Sequence, residues 1–261
     1  METGENNPII QIVDKSFNND FLSQYHLSIE LSKKTLSYCI IDTKKLRCHL
    51  LHSVNYNNQE DLSNLLSNDM YITKEFYSKS ISLSNFPNTL VPTELYNQKD
   101  NNKIFELNHG KAEVILIDDL NDYQIKNIYS IPESLNQTIN NLIPNINIKS
   151  QTTILIDYIL SKNYNTEKLT LYIKDNYVNI LITYNNQLIF QNKFKFSTKE
   201  DLLFYSLFCI QEMNLSPEKI DTEIYGNISK SEFQILYEYI RNIKYGNKLK
   251  DISFSNEFHN I

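Results

Sequence analysis

The strongest constraint on this chain is that it resembles itself. Leu27-Ser28-Ile29-Glu30-Leu31, the apolar run at 36–41 and the run at 46–54 return 142 residues later. There they read Leu169-Thr170-Leu171-Tyr172-Ile173, then 178–183, then 188–196. Self-similarity at this scale outranks local signals, because each copy must then form one supersecondary unit. Each copy reads as three short β-rich segments with polar turns between them. The turns are Ser32-Lys33-Lys34 and Thr43-Lys44-Lys45 in the first copy, Lys174-Asp175-Asn176 and Asn185-Asn186-Gln187 in the second. Phe194 and Phe196 alternate with Lys193 and Lys195, as one apolar strand face requires. Leu31 and Ile173 are therefore predicted to occupy equivalent buried places.

A helix is predicted after each meander. The first carries Glu60-Asp61-Leu62 with Leu65 and Leu66; the second carries Glu200-Asp201-Leu202 with Leu203, Leu207, Ile210 and Met213. The offset is now 140, which a two-residue length change in the loop explains. Thr198 suits an N-cap with Asp201 three residues on, and acids are favourable in a first helical turn. The run 202–210 is apolar nearly all round, which predicts burial between layers. Each copy then continues with a strand and a helix. In the second these are 220–225, Gly226-Asn227, and a capping box of Ser229 and Glu232 before Phe233, Leu236, Tyr237 and Ile240. In the first they are 113–118 and a helix from Glu133, after Pro132, carrying Leu135, Ile139, Leu142 and Ile143.

Extra material at 71–110 reads as a strand near 79–83, a loop, a short helix near Thr93 and a flexible polar surface segment at 98–103. Residues 148–160 read as a helix or strand joining the halves, the helix being preferred with Ile154, Tyr158 and Ile159 inward. The predicted organisation is a tail at 1–22, a first lobe at 23–148 with an insertion near 71–110, and a second lobe at 149–261.

Composition narrows the function classes. A chain of 261 residues that is 41% hydrophobic and 21% charged can bury a substantial core. A net charge of −6 argues against a broad nucleic-acid footprint. No apolar run reaches the roughly 18 residues of a membrane span, and residues 1–7 lack the charged-then-apolar order of a secretory signal. Cys39, Cys48 and Cys209 are odd in number and form no CxxC, so they are read as structural thiols of a cytoplasmic protein. His49 and His52 lie an odd step apart on a strand, so no metal shared with Cys48 is expected. Asp118 and Asp119 should likewise point apart, with Asp119 opening a loop or capping a turn. GxSxG, GxxxxGK[ST] and GxGxxG are absent, and only four glycines occur where an average chain holds roughly 18. The 18 Tyr and 13 Phe fall mostly at inward positions and are read as core, and Lys193 and Lys195 as a solvated face.

Meander, helix, strand and helix, occurring twice over about 24–250, resemble the actin-like ATPase superfamily of sugar kinases, Hsp70-type chaperones, actin and PilM-like proteins. More narrowly, residues 26–56 with Thr89-Leu90-Val91-Pro92 resemble the Bacteroidota domain of unknown function 3822. The resemblance implies an α/β fold of two actin-like (ribonuclease H-like) lobes from an internal duplication. It also implies ATP held by two hairpins, each with Asp-x-Gly, and by a Gly-Gly turn. The acid handles metal and water, and glycine lets amide groups reach phosphate. Here Glu30-Leu31-Ser32 then Lys33-Lys34 stand at the first hairpin, Tyr172-Ile173-Lys174 then Asp175-Asn176 at the second, and Gly226-Asn227 at the turn. Both hairpin glycines and the second acid are missing. The expectation is an inactive actin-like scaffold with a protein partner. It has no catalytic residue, no metal, no cofactor, no nucleic acid and no membrane insertion. The alternative is an ATP- and magnesium-dependent ATPase or kinase-like switch using Glu30, Ser32, Lys33, Lys174, Asp175 and Gly226.

Overall fold

A computed structural model describes residues 10–45 and 47–246. Two compact units divide them, the first running through Ile154 and the second beginning at Leu155.

The first unit opens with β1 (Ile10–Val13), then the meander β2 (Tyr25–Leu31), β3 (Thr35–Asp42) and β4 (Arg47–Asn55). Helix α1 (Gln59–Asn68) and β5 (Ser78–Leu83) follow. Next come β6 (Asn88–Pro92), α2 (Asn101–His109), β7 (Val114–Leu120) and β8 (Ile125–Ile131). The unit continues with α3 (Glu133–Leu142), β9 (Asn147–Ser150) and α4 (Gln151–Ser161), which runs into the second unit. The main sheet has the order β1-β4-β3-β2-β5-β9, and β6-β8-β7 form a separate antiparallel sheet. The second unit holds β10 (Lys168–Lys174), β11 (Tyr177–Tyr184), β12 (Gln187–Lys195), α5 (Lys199–Glu212), β13 (Asp221–Gly226), α6 (Lys230–Tyr239) and β14 (Asn242–Tyr245). Its sheet has the order β12-β11-β10-β13-β14.

The two main sheets share one plan. In each, an antiparallel meander is extended by two parallel strands in the same positions. Register agrees too: Leu31 pairs with Leu36 as Ile173 pairs with Val178. Even the β-bulge recurs, between Ile40 and Ile41 and between Ile182 and Thr183. Leu31 and Ile173 are both fully buried, each in its own unit's apolar core. The helices after the meanders are capped alike. Asn58 accepts from Asp61 N, and Thr198 accepts from Asp201 N in a complete capping box. The second capping box, Ser229 with Glu232, is also present.

Several elements differ from the sequence reading. The two-residue slip falls between β3 and β4, because β4 and β12 already pair at the shorter offset. The fourth strand of the first sheet is β5, parallel to β2, whereas β7 belongs to the separate sheet. β7 is the more apolar of the two, β5 being Ser-Lys-Ser-Ile-Ser-Leu, but neither pattern chooses a strand's partner. Ile10–Val13 pair with β4 instead of trailing as a tail. Residues 101–109 are helical, and 147–150 form a strand before α4. Helix α5 is not enclosed: Phe204 and Phe208 are 61% and 45% exposed and stack on each other at 5.9 Å. Cys39 and Cys48 are disulfide-bonded across β3 and β4, so they are not thiols, and their count no longer argues for a compartment. Ile252, Phe254 and Phe258 lie outside the described residues. No helix among the described residues is long and apolar enough to cross a membrane.

Candidate functional site

The first hairpin joins β2 to β3. Glu30 is the last inward polar residue of β2, 1% exposed, and its Oε1 accepts from Gln151 Nε2 at 3.0 Å. Ser32 then closes the turn upon itself. Its Oγ accepts from the Lys34 and Thr35 amides at 3.2 and 2.9 Å, and its own amide donates to Thr35 O at 2.9 Å. Tyr56, just beyond β4, clamps the same turn: its hydroxyl donates to Ser32 O, and its amide donates to Lys34 O at 2.9 Å. Two amides of the turn are thus already donated to a side chain. A phosphate-binding concavity needs such amides aimed outward. Ser32→Ala would leave both without that acceptor and should cost about 1–2 kcal/mol in chemical denaturation. An unchanged midpoint would mean that the turn does not depend on Ser32.

The second hairpin, in the second unit, is tighter. Lys174 pairs with Tyr177, and Asp175 takes a left-handed φ of 54°. Tyr172, at the place of the missing acid, is buried between β11 and β13, opposite Asn179 and Tyr225. Asp175 is exposed and Lys174 half-buried. Gly226 closes the parallel ladder against Ile173 with φ of 84°, and the Asn227 amide donates to Ile173 O at 2.7 Å. A Cβ on Gly226 would lie 2.0 Å from that same oxygen. The glycine is therefore required by the sheet itself, without appeal to a ligand. The structure brings Glu30, Ser32 and Lys33 together in one unit, and Lys174, Asp175 and Gly226 in the other.

Beside the first hairpin lies a cavity of about 320 Å³. Tyr56, Phe86, Ile131 and Leu135 line it together with the charged residues Lys33, Lys111 and Glu113. Of the predicted site residues, Lys33 alone lines it.

Asp118 and Asp119 do point apart. Asp119 forms an ion pair with Lys126 at 2.6 Å, but it does so from within β7, not from a loop, since the β7–β8 ladder runs on to Leu120. Asp118 is buried and accepts from Thr153 Oγ1 at 2.6 Å, Ser150 N at 2.7 Å and Tyr129 Oη at 3.0 Å. Burial holds its carboxyl above the usual carboxylate range, against those hydrogen bonds. It ties the separate sheet to the start of α4. His49 is the extra residue of the β4 bulge, since Ile40 and Ile41 pair with Leu50 and Cys48. Strict alternation fails there, and His49 faces Asp42 at 3.7 Å while His52 lies against Tyr38.

With this geometry in view, the chain matches the family described as "Protein of unknown function (DUF3822)" over residues 14–243. The chain belongs to that family. Among solved structures it is similar to a Bacteroides thetaiotaomicron VPI-5482 protein with actin-like ATPase fold and unknown function. That match has 22% identity and a TM-score of 0.84, covering 93% of this chain and 99% of that one. It is also similar to a chain of the PilM-PilN type IV pilus biogenesis complex, at 13% identity and a TM-score of 0.53, covering 85% and 88%. The fold of this family member is thus the actin-like ATPase fold. No curated protein matches the sequence.

Sequence reasoning found the hairpins but missed what closes the first one. Tyr56 and Gln151 lie 24 and 121 residues from their partners in it. No local pattern announces contacts at such separations. Ser32 could have been noticed as a serine opening a tight turn, where its hydroxyl commonly captures amides two and three residues on.

Proposed function

We propose that this actin-like protein has given up ATP hydrolysis and serves as a protein-interaction scaffold whose two units descend from one duplicated segment. The observation that carries the reading is the self-closed first hairpin, where Ser32 Oγ takes amides that a nucleotide would need. Tyr172 in place of the second acid, and a Gly226 committed to Ile173, support it. The shared strand order, register and bulge of the two sheets support the duplication. A protein partner is favoured because a fold relative was solved within the PilM-PilN complex. The cavity beside the first hairpin, whose apolar side chains are joined on the lining by Lys33, Lys111 and Glu113, suits an apolar segment of a partner flanked by charged groups.

Titration calorimetry of the purified chain with magnesium and ATP should show no binding heat, and a phosphate-release assay no turnover. Micromolar binding accompanied by phosphate release would overturn the reading.

A further inference from the structure

The second unit contains a polar cluster outside both hairpin turns. Lys162 follows α4, Lys168 opens β10, Glu223 and Tyr225 lie on β13, and Lys244 lies on β14. Glu223 is 7% exposed, and its Oε1 is 2.7 Å from Lys168 Nζ and 3.7 Å from Lys244 Nζ. Its Oε2 accepts from Tyr225 Oη at 2.5 Å and lies 3.8 Å from Lys162 Nζ. Three ammonium groups therefore share one carboxylate, and only one can be neutralised by it.

The three lysines are not equivalent. Lys168 is 5% exposed, pairs directly with Glu223, and sits over the Tyr164 ring at 3.5 Å. Lys244 is largely in water. Lys162 is intermediate. Its Nζ donates to Tyr225 Oη at 2.5 Å and lies over the Tyr158 and Tyr225 rings at 4.2 and 4.8 Å. Its side chain is 20% exposed, neither sealed like Lys168 nor free like Lys244. Burial holds it below the usual lysine range, Lys168 and Lys244 push it further down, and Glu223 pulls the other way. Desolvation beside other cations is what makes a lysine amine nucleophilic at neutral pH.

We propose that Lys162 is a reactive amine that condenses with small carbonyl compounds carrying an anionic group, 2-oxo acids being the class. The anionic group answers the charge of Lys244, which shares Glu223 with Lys168. The neutral amine keeps one N–H on Tyr225 Oη, which leaves its lone pair for the carbonyl carbon. A C–N bond forms, the carbonyl π pair moves to oxygen, and a proton passes from nitrogen to that oxygen. Loss of water then gives the imine. The proton released when the ammonium first becomes an amine goes to solvent.

The test treats the full chain with glyoxylate and cyanoborohydride at pH 7.4, then maps reduced adducts by peptide mass spectrometry. Lys162 should be modified at least tenfold faster than the median of the other lysines. Lys244→Ala alters only an exposed side chain, and it should slow the Lys162 adduct several-fold by removing a neighbouring cation. Tyr225→Phe should slow it as well, provided its thermal midpoint shows a folded second unit. Formaldehyde, which carries no charge, should show less preference for Lys162 than glyoxylate does. A Lys162 rate no greater than that of exposed lysines would overturn the proposal. Equal preference with the two aldehydes would overturn its anionic part.

Discussion

Replacing Gly226 by alanine should cost the second unit about 3 kcal/mol or more, read as a fall in its denaturation midpoint. Two penalties act together. The residue has φ of 84°, where a side chain is strained by about 1–2 kcal/mol. Its Cβ would also stand 2.0 Å from Ile173 O and 2.9 Å from the carbon of that carbonyl. Those are backbone atoms of β10, which is locked on both sides by β11 and β13, so they have little freedom to withdraw. The first unit shows what a side chain at this place demands. Leu83 pairs with Leu31 as Gly226 pairs with Ile173, and the Ser84 amide donates to Leu31 O at 2.8 Å. Leu83 is not among the positive-φ residues, so the same hydrogen bond is reached there on a different backbone path. Gly110 provides the internal control, because it has φ of 78° with nothing within 4 Å of its Cβ position. Gly110→Ala should therefore show the strain alone, and the difference between the two variants isolates the contact with Ile173. Equal losses would mean that β13 yields, and that the glycine is not needed for the ladder.

The same pair of strands shows how much the sequence could say. Matching Leu31 to Ile173 needed only the repeat of apolar residues, and both sit in their cores. Thr198 and Ser229 announced their helices because capping is local chemistry, complete within four residues. Strand partnership is not local. β7 is far more apolar than β5, yet the packed sheet puts β5 beside β2. Helix α5 misled for a related reason. An apolar run all round a helix says that burial is favourable, yet Phe204 and Phe208 can bury part of their area against each other and leave the rest in water. At the candidate site the residue types were legible and their commitments were not. Glu30, Ser32 and Gly226 could each be suspected from position, but whether they face a ligand or the protein depends on Gln151, Tyr56 and Ile173.

At the end of β2 away from the first hairpin, β2 and β5 are joined by a group that should make the first unit sensitive to mild acid. His26 is buried, with Nδ1 2.8 Å from Ser78 Oγ and Nε2 3.0 Å from Ser80 Oγ. Burial alone pulls the imidazole down from 6.5 to about 4. Between those values the unfolded chain binds a proton that the folded chain refuses, so stability rises with pH there and is lost as pH falls. One pKa unit is about 1.4 kcal/mol, so the full loss from this group on reaching pH 4 is about 3 kcal/mol. Carboxylates whose unfolded values lie near 4 contribute little above pH 5, which leaves the upper part of the window to histidine. His52 adds in the same direction, since burial lowers it against the pull of Asp69. Urea midpoints of the first unit at pH 7, 6 and 5 should therefore fall steadily. His26→Gln, which keeps a polar side chain between the two serines without a titrating group, should flatten most of that slope and leave the residue that His52 supplies. Parallel slopes in the two proteins would show that the folded chain accommodates the imidazolium, for example by opening the β2–β5 seam to water.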